Sequence, residues 1–221
     1  MLRRMNLDIK TKSRKELPPY KKMDYFFDID KLKKLLSDMP NDVRDFISNK
    51  CDTNSAYSSY NEGTYKMFPL TTFDSENKDV FENYSFAKNL HPEHDERRYT
   101  KKLDWIKGTY IEEVLSTFKG QVTRAHIRNL SPGGYLKYHM DYDTKYSVRY
   151  HIPITTNEGC VCRFKKHKNA EEHTLHMPAD GSCYFFNQGW LHAVENTGNT
   201  DRYHLIIAVN GQEDLYKLLS K

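Results

Sequence analysis

From Gly120 onward the apolar residues recur at every second position, in short runs cut by turn-forming residues. This constrains the fold more than any other feature of the chain, because a period of two belongs to strands and not to helices. It predicts strands over 122–130, 135–141, 147–154, 160–165, 173–177, 183–187, 191–196 and 202–209. Between them lie Ser131-Pro132-Gly133-Gly134, Thr155-Thr156-Asn157-Glu158-Gly159, Ala179-Asp180-Gly181 and Asn196-Thr197-Gly198-Asn199, all rich in turn formers. Short antiparallel strands at this spacing describe a mainly β, cupin-like double-sheet jelly roll.

Upstream of Gly120 the period lengthens. Leu103, Ile106, Tyr110, Ile111, Val114, Leu115 and Phe118 recur at three and four, which predicts a helix over 99–118 packed outside the sheets. Gly108 weakens its middle and Gly120 closes it. A shorter helix is expected over 28–36, capped by Asp28 or Asp30 and ended by Pro40, and another over 42–49. Thr64-Tyr65-Lys66-Met67-Phe68-Pro69-Leu70 reads as an edge strand or as a loop over a cleft. The run His91-Pro92-Glu93-His94-Asp95-Glu96 has metal-ligand residue types, but its proline and crowded charge point to a solvated loop. A short helix over 213–219 would finish the chain. The expected organisation is one domain: a flexible basic arm over 1–22, a helical support region over 23–120, and a β core over 121–221.

Composition sets outer limits. A chain of 221 residues can bury a proper core, and its 38% hydrophobic and 29% charged content includes no run of membrane-spanning length. Charges at the start are not followed by an apolar stretch, so no secretory signal is expected. The net charge of +4 sits largely in the N-terminal arm, a tail and not a groove, so neither nucleic acid nor membrane is the expected partner. Four cysteines without zinc-ligand spacing read as reduced thiols, which suggests a cytoplasmic protein. Oligomeric state is not readable.

Chemistry concentrates in the last third. On a strand, His139 and Asp141 leave the same face of the pleat, half of a metal site. His192 is the best-placed second imidazole, and two histidines plus one carboxylate is the set expected of non-haem Fe(II) oxygenases. Arg202 opens the apolar run Leu205-Ile206-Ile207-Ala208-Val209. A desolvated guanidinium there needs an anionic partner, and a dicarboxylate cosubstrate would supply one through paired hydrogen bonds. His204 shares the face of Arg202 and could hydrogen-bond around the site or the substrate. Arg124 with His126, or His126 with Arg128, could reach the barrel mouth, and spacing does not decide between them.

The segments His139-Met140-Asp141, Arg149-Tyr150-His151-Ile152-Pro153-Ile154-Thr155-Thr156-Asn157, Phe186-Asn187-Gln188-Gly189-Trp190-Leu191-His192-Ala193-Val194-Glu195-Asn196 and Arg202-Tyr203-His204-Leu205 resemble the aspartyl/asparaginyl β-hydroxylase family. The resemblance runs over residues 120–210. It implies an Fe(II)- and 2-oxoglutarate-dependent dioxygenase on a double-stranded β-helix. His139, Asp141 and His192 would hold iron, and Arg202 would pair with the far carboxylate of 2-oxoglutarate. Arg149 and His151 match the family's Arg-x-His and would contact the cosubstrate or a substrate carboxylate. Phe185, Phe186 and Trp190 could wall the cavity. Asp141 places the chain near the members with a full triad, which include proteins resembling free-proline hydroxylases. The implied reaction consumes O2 and hydroxylates a C–H bond of an amino acid, free or peptidyl, releasing succinate and CO2. The alternatives are a tRNA or nucleobase oxygenase and a cupin-like module that holds metal without turnover.

Overall fold

The structure, a computed structural model, describes residues 11–41, 65–72 and 95–216. The expected helix over 42–49 and the run 91–94 lie outside the described residues. Each expected strand after Gly120 is present: β5 (Gln121–Leu130), β6 (Tyr135–His139), β7 (Val148–Thr155), β8 (Cys160–Lys165), β9 (Glu172–Leu175), β10 (Ser182–Phe186), β11 (Leu191–Asn196) and β12 (Arg202–Asn210). Upstream come β1 (Tyr20–Phe26), β2 (Tyr65–Pro69), β3 (Thr71–Thr72) and β4 (Lys101–Lys102). A major sheet runs β1-β10-β7-β12-β5-β2, a minor sheet runs β6-β11-β8-β9, and β3 pairs with β4. Every pairing is antiparallel. The chain is the mainly β jelly roll that its strand spacing predicts.

The major sheet is buried on both faces, and alternate residues of each strand serve different masters. Its back carries Ala125, Ile127, Val148, Tyr150, Ile152, Ile154, Cys183, Phe185, Leu205, Ile207 and Val209 in one apolar core. Helices α1 (Ile29–Ser37) and α2 (Tyr110–Ser116) cover that back with Leu32, Leu35, Ile111, Val114 and Leu115. Each such aliphatic side chain contributes about 1.5–3 kcal/mol on full burial. The front faces the minor sheet and carries the charged positions described below. A smaller cluster that includes Leu130, Cys162, Phe164, Tyr184, Phe186 and Val194 draws on strands of both sheets. Gly133 adopts φ +75 in the turn from β5 to β6, a conformation that costs a side chain strain. Cys160, Cys162 and Cys183 are buried free thiols. Among the described residues no helix is long and apolar enough to cross a membrane.

Several expectations are corrected. One helix over 99–118 does not form: Gly108 has φ +72, Leu103 and Lys107 are extended, and the Leu103 N–H donates to the Leu70 carbonyl at 3.0 Å. The two-residue β4, a single 3-10 turn and the seven-residue α2 share that span, and the turn and α2 send Ile106, Ile111, Val114 and Leu115 to the same back core. The N-cap of α1 is Asp28, which accepts from the N–H groups of Asp30 and Lys31. Segment 65–69 is an edge strand beside β5. At the C-terminus a 3-10 turn, Glu213–Leu215, stands where a helix was expected, and residues 217–221 lie outside the described ones. Asp214 there accepts from the Lys119 and Gly120 N–H groups and from the Tyr25 hydroxyl, which ties three segments behind the sheet.

The N-terminal arm also differs. Residues 1–10 lie outside the described residues, but 11–19 form a strap on the core and β1 follows as an edge strand of the major sheet. The Asn187 side chain donates to the carbonyls of Arg14, Leu17 and Pro18, and the Trp190 indole N–H donates to Arg14 at 2.9 Å. Gln212 exchanges hydrogen bonds with Lys12 in both directions. Most of these bonds use the strap's carbonyls, and only Leu17 of residues 11–19 enters the apolar core, too little to leave a hydrophobic period in the sequence.

Candidate metal centre

His139 is the last residue of β6 and stands directly opposite His192 of β11, with ring centroids 4.2 Å apart. Asp141 follows the end of the strand and is not part of it. Its backbone N–H donates to the Gln188 carbonyl at 2.9 Å, and the buried Gln188 amide is fixed in turn on the Ser147 carbonyl. Ligand atoms of His139, Asp141 and His192 thus lie within 4.8 Å of one another.

The tautomers suit coordination. His139 Nδ1 sits 2.7 Å from the Lys137 carbonyl and His192 Nδ1 sits 2.9 Å from that of Trp190. A carbonyl only accepts, so each Nδ1 carries the hydrogen and each Nε2 presents a lone pair. Burial, and then the neighbouring His139, pushes His192 down to about 4, so His192 is neutral and ready to ligate near pH 7. Burial opposes ionisation of Asp141, but the Arg149 guanidinium and the two imidazoles outweigh it and hold the carboxyl well below the usual range. Arg149 Nη1 donates to Asp141 Oδ2 at 2.5 Å, and a carboxylate has a second oxygen to give a cation. Two imidazoles and one carboxylate on one side, with no fourth protein ligand among the described residues, fit a divalent transition metal with open positions.

Strand pairing carries a band of cations across the front of the major sheet. Arg149 and His151 on β7 stand opposite Ala208 and Ile206 of β12, and His204 stands opposite Arg128 of β5. Because 124, 126 and 128 share one parity, Arg124, His126 and Arg128 all belong to this face. Arg202 is 3% exposed and donates to His204 Nδ1 at 2.8 Å. Among the described residues it has no ion pair with a carboxylate. His151 stacks on Phe186 at 4.3 Å and meets His204 edge-on at 5.8 Å. Burial, and then the neighbouring arginines, holds His126, His151 and His204 well below the usual imidazole range. Trp190 spends its indole on the strap, and its ring packs edge-on against His173.

Glu96 was missed. The sequence placed it in a solvated loop, yet it is 4% exposed on a 3-10 turn (Glu96–Arg98) over this face. Its Oε2 lies 3.5 Å from both Arg124 and Arg149. Asp95 accepts from the Tyr146 hydroxyl at 2.5 Å, and Arg97 lies over the Tyr146 ring, so the turn is clamped to the segment after Asp141. Crowded charge gave the sequence no way to separate a solvated loop from an ion cluster.

A family model described as aspartyl/asparaginyl β-hydroxylase matches residues 42–211. The chain belongs to this family. The hydroxylase is an enzyme of the oxygenase class, and its metal-competent triad falls within the matched span. Similar solved structures include a Pseudomonas putida prolyl-4-hydroxylase (12% identity, 86% of this chain and 91% of that one, TM-score 0.47). Another is a non-haem monooxygenase, ThoJ, complexed with nickel (13% identity, 88% and 74%, TM-score 0.44). A third is a Burkholderia pseudomallei oxidoreductase of the 2OG-Fe(II) oxygenase family (12% identity, 67% and 69%, TM-score 0.40). A search of curated protein sequences found no match.

Proposed function

We propose that this hydroxylase uses Fe(II), O2 and 2-oxoglutarate to hydroxylate a C–H bond of an amino acid, free or within a peptide, with release of succinate and CO2. The observation that supports the reading is a His-Asp-His cluster on one sheet together with, on the other, a buried arginine that has no carboxylate partner among the described residues. Bound iron would activate dioxygen, whose reduction draws one electron pair from oxidative decarboxylation of the cosubstrate and the other from the C–H bond that becomes C–OH.

The chain's own residues do the rest. His139, Asp141 and His192 would hold the metal, and the Lys137 and Trp190 carbonyls keep both imidazoles turned for it. Arg149 steadies the Asp141 carboxylate and stands ready for a carboxylate of cosubstrate or substrate. Arg202 would take the far carboxylate of 2-oxoglutarate, with His204 fixing the guanidinium and His151 packed edge-on against His204. Because His151 and His204 are neutral, they contribute hydrogen bonds without adding charge. Phe164, Phe186 and Val194 keep the inner end dry. The test is succinate formation from 2-oxoglutarate under air, with and without Fe(II), across amino acids and peptides. Metal-dependent succinate supports the reading, and its absence under every condition rejects it.

A further inference from the structure

Two of the three metal-ligating residues hang from one short turn. The Gln188 carbonyl takes the Asp141 N–H at 2.9 Å, and the Trp190 carbonyl takes the His192 Nδ1–H at 2.9 Å. The Trp190 N–H closes the turn on the Asn187 carbonyl at 3.0 Å. Whatever fixes residues 187–190 therefore fixes one carboxylate and one imidazole at once.

What fixes them comes from the other end of the chain. The Asn187 amide and the Trp190 indole, both buried, give N–H groups to the same Arg14 carbonyl at 3.0 and 2.9 Å. The Asn187 backbone N–H adds a bond to the Pro19 carbonyl at 2.9 Å. Between them the strap presses on Gly189, where an added Cβ would stand 2.7 Å from Arg14 Cβ and 3.1 Å from the Tyr142 carbonyl oxygen. A side chain there would displace the strap. The strap also reaches the segment after Asp141. The Thr144 hydroxyl donates to the Lys12 carbonyl at 2.9 Å, and the Arg14 N–H faces the Asp143 carboxylate at 3.4 Å. It thus holds both segments that carry Asp141 and His192, although it precedes the span 42–211 that the family model matches. Ordering these groups before an ion arrives removes a cost that binding would otherwise bear.

Resting on His139, Asp141 and His192 as the metal ligands, we propose that the strap over 12–19 is part of the metal centre: through Asn187 and Trp190 it positions Asp141 and His192, and its docking is linked to metal binding. Linkage is reciprocal, so the factor by which the docked strap raises metal affinity is the factor by which bound metal favours the docked strap. A strap that merely stabilises the fold would feel the ion no more than other parts of the molecule do.

The experiment compares the full chain without metal and saturated with Co(II), by hydrogen exchange read peptide by peptide. Amides whose exchange ignores low urea, and so proceeds by local opening, are scored. Co(II) should slow exchange over 11–19 by about 10-fold or more, the worth of an outer partner at a metal site, while α1 on the back of the sheet changes by less than about twofold. Trp190→Phe keeps a ring but loses the N–H to Arg14. It should weaken Co(II) binding by about 10-fold in calorimetry and shrink the protection of the strap to less than about threefold. Equal slowing in the strap and α1, or a Co(II) affinity unmoved by Trp190→Phe, would each overturn the proposal. If the variant does not fold, the exchange comparison on the unaltered chain decides alone. No Co(II) binding by the unaltered chain defeats the metal assignment and this proposal together, whereas binding that leaves strap exchange unchanged defeats only the proposal.

Discussion

The two faces of the major sheet are built from the same strands and differ in almost everything else. On β7, Val148, Tyr150, Ile152 and Ile154 point to the back and Arg149 and His151 to the front; on β12, Leu205, Ile207 and Val209 oppose Arg202 and His204. The back is an ordinary apolar core under two helices. The front gathers arginines and neutral imidazoles, with the Asp141 carboxylate against Arg149, into a space that hydrophobic packing alone would never select, since each buried polar group there costs free energy unless it is partnered. The difference teaches that the back stabilises the fold and the front spends part of that stability on binding. Substitutions on the two faces should therefore separate cleanly.

The largest effect is expected at the ligands. His192→Ala should lower Fe(II)-dependent succinate release well beyond the roughly 100-fold that loss of an outer partner costs a metal site. Melting followed by circular dichroism should change little in the metal-free protein, because the substitution removes a buried polar ring. A collapse of the fold instead would break the separation of faces. Next comes Arg202→Met, which should weaken 2-oxoglutarate binding by about 3 kcal/mol, near a hundredfold. The same variant should melt no lower, and even higher, without cosubstrate, since a buried guanidinium with no carboxylate partner is replaced by an apolar chain of similar length. Calorimetry and melting on one preparation test both halves.

A back-face change should do the reverse. Ile152→Ala should cost about 3 kcal/mol of stability through the cavity it leaves, read from urea denaturation, while the affinity for 2-oxoglutarate stays within about twofold at a temperature where the protein is folded. A large loss of affinity would mean that the faces are coupled through the sheet.

How legible each face was in the sequence follows from the same alternation. The period of two after Gly120 is imposed by an apolar back and a polar front, so the strands of the core could be read directly, and with them the parity that pairs Arg149 with His151 and Arg202 with His204. That His139, Asp141 and His192 come together was legible in part: β6 and β11 set the two imidazoles opposite each other, while Asp141 joins them from the segment after the strand. What could not be read depends on contacts from far along the chain. The expected helix over 99–118 mixed two short elements whose apolar residues share a three-to-four spacing only because both dock on the same core. The strap over 11–19 is held through backbone carbonyls. Glu96 looks like any surface acid until Arg124 and Arg149 are brought beside it. Arg124, His126 and Arg128 were left as rival pairs, although their shared parity places them all on one side.

The smallest effect concerns protons. His126, His151 and His204 are neutral in the fold, their affinity for protons held below the ordinary 6.5, first by burial and then by the arginines. Above that value these imidazoles are neutral whether the chain is folded or not, and the stability of the fold is fully present. As pH falls below it the unfolded chain takes up protons that the fold refuses, so stability is lost, by up to about 1.4 kcal/mol per pH unit for each imidazole. His204→Gln keeps an acceptor for Arg202 but cannot titrate. It should therefore flatten the fall in unfolding free energy between pH 6.5 and 5.5 by at most about 1.4 kcal/mol relative to the unaltered chain, in metal-free buffer. An unchanged slope would mean that His204 accepts a proton beside Arg202 after all, and that the front face tolerates more positive charge than its four arginines imply.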